Sequence, residues 1–103
     1  MRKAKISFKG TQAGILTEAE NAKSYVFEYL DGYTGPGISL TMPTSRKRHE
    51  FDTFPAFFEG VLPEGQRLEA LLRQAKLDHT DYFGQLITVG ADLVGAVTAE
   101  EIK

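Results

Sequence analysis

The spacing of apolar residues changes character once along the chain, from short alternating segments to helical stripes near residue 53. Lys3 to Phe8 (KAKISF) and Gln12 to Leu16 (QAGIL) flank Lys9-Gly10-Thr11, a loop length and glycine content that predict a β-hairpin. Ser24 to Leu30 (SYVFEYL) alternates Tyr25, Phe27 and Tyr29 with Val26, Glu28 and Leu30, the period-two mark of a strand with one buried face. Asp31-Gly32 supplies its turn. Gly32 to Gly37 holds three glycines and a proline and reads as loop, after which Ile38 to Met42 (ISLTM) reads as another strand, ended by Pro43. Thr44 to His49 is polar and basic, an exposed connection.

Beyond Thr53 the period lengthens. With Thr53 as N-cap and Pro55 in the first turn, Phe54, Phe57, Phe58, Val61 and Leu62 recur at helical spacing until Pro63 interrupts them. Glu64 to Leu77 sets Leu68, Leu71, Leu72 and Ala75 on one side of an amphipathic helix. A third helix follows Asp78-His79-Thr80, turns Tyr82, Phe83, Leu86, Ile87 and Val89 inward, and stops at Gly90. Leu93 to Thr98 (LVGAVT) reads as the last strand. Strands, then helices, then a strand predict an α+β fold: a small antiparallel sheet or partly open barrel of about five strands, with about three helices inserted before the last, in a single domain spanning residues 1–103.

Composition agrees with a small globule that can bury a modest core, with 42% hydrophobic and 25% charged residues in 103. Cysteine is absent, which excludes disulfides, thiolate metal ligands and a cysteine nucleophile, and fits a reducing cytoplasm. No apolar run approaches the ~20 residues of a membrane helix, and the N-terminus leads into alternation rather than a signal-peptide block, so no membrane partner is expected. The net charge of −2 conceals an asymmetry: residues 1–48 carry eight Lys/Arg against four Asp/Glu, and residues 49–103 four against ten. Such a pattern orients a partner more than it shapes a fold.

Chemistry-bearing motifs are sparse. The glycines sit in turns, with no G-x-G-x-x-G or G-K-[ST] to cradle phosphate. His49 and His79 lack a second histidine at ligand spacing, and Asp78-His79-Thr80-Asp81 is explained by helix capping. Glu18 with Glu20, and Glu100 with Glu101, lie in polar segments where solvated charge accounts for them. The serines have no nucleophile-elbow context. These readings point to no enzyme, no cofactor and no metal site. Arg46-Lys47-Arg48 admits three readings, a solvated loop, a contact for an acidic protein surface, or a DNA contact; the acidic balance argues against direct nucleic-acid binding.

What remains is FPAFFEGVLPEG, residues 54–65. Its phenylalanines belong to the core, whereas Pro63-Glu64-Gly65-Gln66-Arg67 forms a rigid helix-to-helix junction over that aromatic base, suited to a protein contact.

Ser39-Leu40-Thr41-Met42-Pro43, Phe57-Phe58-Glu59-Gly60-Val61-Leu62-Pro63-Glu64-Gly65, Asp81-Tyr82-Phe83 and Val94-Gly95-Ala96-Val97-Thr98 succeed one another in an order that resembles the N-terminal subdomain of the HipA family of serine/threonine kinase toxins, over nearly the whole chain. In that family a strand ending S-L-P, an F-F-x-x-L-L-P-E/D-G junction, a D-x-F/L helix and a closing V-G-A-V strand occur in this order. HipA kinases continue well beyond this subdomain into their nucleotide loop, catalytic aspartate and metal ligands. A chain ending at Lys103 is expected to have no kinase activity. A stand-alone copy resembles the HipS-type antitoxin component of three-part HipB–HipS–HipT systems. That resemblance implies a HipT-like kinase toxin as the neutralised partner and a HipB-like helix-turn-helix protein in a ternary complex. The exposed-looking junction on a domain empty of catalytic motifs makes Phe58, Leu62, Pro63, Glu64, Gly65, Gln66 and Arg67 the residues expected at or under that contact, and the basic run makes Arg46, Lys47 and Arg48 a secondary one. Two alternatives stay open: an accessory subunit supporting a HipB-type repressor on DNA, and an isolated N-terminal fragment of a full HipA kinase.

Overall fold

A computed structural model describes residues 2–19, 24–62, 65–78, 80–90, 93 and 96–102. Five antiparallel strands, β1 (Lys3–Phe8), β2 (Thr11–Glu18), β3 (Tyr25–Tyr29), β4 (Arg48–Phe51) and β5 (Val97–Ile102), form one sheet in the order β4-β3-β2-β1-β5. Three helices, α1 (Ala56–Gly60), α2 (Gly65–Ala75) and α3 (Tyr82–Thr88), lie in sequence between β4 and β5. The α+β class, the strand number and the helices before the last strand are as the sequence predicts.

The first hairpin turns on Lys9 and Gly10, both at positive φ (51° and 83°). Two left-handed residues match the right-handed twist of the flanking strands, so the turn is tight. Along β3 the alternation is fully realised: Tyr25 and Phe27 are buried against the helices and Tyr29 against the turn before β4, while Val26 and Glu28 face outward. Phe27 meets Phe58 at 6.0 Å, and Tyr25 meets Phe54 edge-on at 5.3 Å and stacks over Phe83 at 6.5 Å. The core is therefore an aromatic layer between sheet and helices, completed by Ile6, Leu16, Met42 and Leu86.

Three elements depart from expectation. Ile38 to Met42 is not a strand but a turn with a single bridge from Ser39 to Met42. Thr41 N donates to Ser39 Oγ at 3.2 Å, and the two hydroxyls lie 3.0 Å apart, so local side-chain bonds compete with a ladder. Thr44–His49 is not wholly a loop: Arg48 opens β4, paired with Glu28, and His49 lies opposite Phe27. The last strand, expected over Leu93 to Thr98, is described from Val97, with Val94 and Gly95 lying outside the described residues, and it runs on through Glu100 and Glu101, whose charges suit a sheet edge. Smaller shifts occur at helix ends. α1 begins after Pro55, which serves as N-cap without a side-chain bond, so Thr53 does not cap it. α2 closes with Lys76 at φ 56° and Leu77 N donating to Leu72 O at 3.1 Å, a Schellman ending.

Gly90 joins helix and sheet. Its carbonyl accepts from Ala99 N at 2.9 Å, and a Cβ there would stand 1.7 Å from Ala99 O, so only glycine lets the end of α3 approach β5 this closely.

Candidate functional site

α1 and the start of α2 carry the junction singled out by the sequence. α1 is only one turn long and is held from below by Phe58, which is 0% exposed and packs against Phe27, Phe54 and Phe57 at 6.0, 6.4 and 5.2 Å. Leu62, 5% exposed, belongs to the same core. Both residues lie beneath any surface and act by fixing the backbone above them. Pro63 and Glu64 lie outside the described residues. Gly65 and Gln66 open α2, and Arg67 follows as an exposed side chain on its first turn.

The basic segment is split by the fold. Arg46 is exposed. Lys47 is bonded to Asp31, a partnership that holds the Asp31 carboxyl below the usual carboxylate range, and it stands 3.9 Å from Glu28. Arg48 lies 4.0 Å from Glu28 on β3 and 3.8 Å from Glu50 on its own strand. Two of the three cations thus already face carboxylates, which weakens the case for a phosphate-binding patch. His49 is buried, and its Nε2 donates to the carbonyl oxygens of Arg46 at 2.8 Å and Pro43 at 3.1 Å, tying the turn before β4 to the strand. His79 lies outside the described residues. Asp81 caps α3 through Gly84 N at 3.0 Å, in keeping with the capping role expected of that segment.

Sequence reasoning missed the ion cluster at the far corner. Glu18 is only 6% exposed rather than a solvated charge. Arg2 donates to both of its oxygens, from Nε at 2.6 Å and Nη2 at 2.8 Å, and to Asp81 at 2.8 and 3.2 Å, while its guanidinium lies 5.2 Å over the Phe83 ring. The forked guanidinium holds two carboxylates at once, which keeps its own pKa raised and that of Asp81 lowered. Every member already has a partner, so the cluster is a clasp between sheet and α3.

Two of the surface hollows among the described residues adjoin these segments. One, of about 500 Å³, lies on the outer face of the sheet among Lys3, Ile15, Thr17, Val26, Glu28 and Arg48. The other, of about 410 Å³, opens beside α1 between Met42, Phe51, Pro55 and Phe57. Among the described residues no group of three or more His, Asp or Glu side chains could hold a metal ion, and no helix is long and apolar enough to cross a membrane.

Comparison with known proteins agrees with the geometry. A family model described as the HipA N-terminal domain matches residues 4–100. An uncharacterized protein of Haemophilus influenzae is 28% identical over 103 residues, covering all of this chain and 95% of that protein. Among solved structures, the N-terminal domain of HipA toxin superposes with a TM-score of 0.79 at 24% identity, covering 100% of this chain and 94% of that one. The Shewanella oneidensis complex of HipA, HipB and operator DNA gives a TM-score of 0.75 at 19% identity; 94% of this chain matches, but only 23% of that one.

Proposed function

This chain belongs to the HipA N-terminal domain family, and from that premise we propose that it is an antitoxin which binds a HipT-like serine/threonine kinase in trans and neutralises it by direct contact. Binding is its whole contribution, without chemistry of its own. One observation carries the reading: the same domain accounts for 95% of the Haemophilus relative yet 23% of the Shewanella HipA chain. A domain found both nearly alone and as part of a toxin has a surface that can serve either within a chain or between chains. Phe58 and Leu62 brace the contact from within, Pro63 to Arg67 form it, and Arg46 to Arg48 add a secondary patch. A HipB-like helix-turn-helix protein completes the complex.

The test is autophosphorylation of a purified HipT-like kinase from the same genome with rising amounts of this chain. The reading expects activity to fall toward zero near equimolar protein; kinase activity untouched by a large molar excess overturns it.

The presence of HipB and operator DNA in the Shewanella complex favours a second reading, in which the chain supports a repressor on DNA. A mobility shift by this chain alone at moderate salt would support it. With a net charge of −2, and with Lys47 and Arg48 facing carboxylates, no shift is expected. The 23% coverage also suits a third reading, the N-terminal part of a longer kinase, which a reading frame continuing into kinase motifs would favour.

A further inference from the structure

Leu40 stands wholly in solvent, 102% exposed, against 40% for Ile102, the other exposed large apolar residue among the described residues. A lone exposed leucine needs no explanation. This one is held in place. Its neighbours Ile38 and Met42 are buried roots, and the Tyr29 hydroxyl accepts from Ile38 N at 3.1 Å while donating to the Met42 carbonyl. Met42 N closes the turn on Ser39 O at 3.1 Å, and the Ser39 and Thr41 hydroxyls lock the two residues flanking Leu40. Beside the turn, the hollow lined by Thr41, Met42, Phe51 and Phe57 opens toward α1, with Glu59 among its lining. A knob on a fixed turn next to an apolar hollow has already lost the freedom that binding would otherwise remove, which is how interface anchors are built.

We propose that the Leu40 turn is a docking knob that seats in an apolar pocket of the HipT-like kinase, while a ridge of that kinase enters the hollow beside Phe57. The inference rests on the reading above. In the Shewanella HipA the matched fold is 23% of the chain, so a much larger remainder of that chain is available to lie against it. Here the hollow adjoins the turn through Thr41 and Met42 and α1 through Phe57 and Glu59, so knob and hollow make one continuous strip. Arg46, just beyond the turn, and Glu59, at the hollow, set opposite charges at its two ends. The kinase pocket accordingly carries an acidic residue on the turn side and a basic one on the α1 side.

Leu40→Asp and Leu40→Met proteins, compared with wild type for kinase binding by calorimetry and for thermal midpoint, test this. Leu40→Asp should weaken binding tenfold or more, Leu40→Met should stay within about threefold, and neither should move the midpoint, because the side chain is fully outside. Unchanged affinity in Leu40→Asp, with wild type binding, overturns the knob and leaves the antitoxin reading standing. A wild type that does not bind the kinase overturns both. Light scattering on the isolated proteins supplies the last outcome: a wild-type dimer that Leu40→Asp dissolves would give this face to a second copy and overturn the kinase as occupant.

Discussion

Arg2 and Asp81 are 79 positions apart in sequence, yet the guanidinium of one donates to the carboxylate of the other at 2.8 Å, at the N-cap of α3. The same guanidinium holds Glu18. Strand and helix are joined through one side chain, and removing it strips the nearly buried Glu18 of its cationic partner. Arg2→Ala should therefore cost about 2 kcal/mol in urea unfolding, less than a fully buried pair because Arg2 is partly solvated. Arg2→Lys should recover only part of this, since an ammonium cannot fork between two carboxylates.

Acid should expose the same clasp. Arg2 holds the Asp81 pKa below its ordinary value. A depressed folded-state pKa gives stability that is present above the unfolded value, about 3.9 for aspartate, and is lost as pH falls through the folded value. The urea midpoint should decline below about pH 4, and Arg2→Ala should flatten that decline.

Tyr29 offers the opposite limb. Burial raises its pKa, and its hydroxyl bridges Ile38 N and the Met42 carbonyl. Stability tied to a raised pKa is present below the unfolded value and lost as pH rises through the folded one, so unfolding should become easier above about pH 10. Tyr29→Phe should abolish that contribution and cost about 1–2 kcal/mol at neutral pH, because two buried backbone groups lose their partner.

Lys76 ends α2 at φ 56°, in the region where a Cβ crowds the backbone. Lys76→Gly should stabilise the protein by about 0.5–1 kcal/mol, read as a higher thermal midpoint, with the helix content by circular dichroism unchanged.

For the proposed kinase contact, Gln66→Ala combined with Arg67→Ala should weaken binding by about 1–3 kcal/mol if the start of α2 is central to it. The thermal midpoint, measured alongside, should not move, since Arg67 is exposed on α2.

How far the sequence reveals this depends on how local the cause is. Tyr25, Phe27 and Tyr29 alternate because one face of β3 is dry, and that pattern is visible in five residues. Ile38, Leu40 and Met42 alternate just as well, yet two point inward and one outward, because the Ser39 and Thr41 hydroxyls bend the backbone between them. β4 hides for the converse reason: an edge strand reading Arg-His-Glu-Phe turns a histidine inward and leaves its charges in water. Glu18 looks like an ordinary surface acid until Arg2 and Asp81 arrive from distant parts of the chain. The junction was legible as a helix break. The solvent-facing Leu40 was not, because a residue's exposure is decided by the turn that carries it.

The strand order has a temporal consequence. β1 lies between β2 and β5, so residues 3–8 find their second neighbour only in residues 97–102. A pairing of such long sequence separation pays its loop-closure entropy before it gains any contacts, which slows folding. On a ribosome, β1 would wait with one unpaired edge while everything between it and β5 was made, and would gain its second neighbour only once β5 had left the exit tunnel.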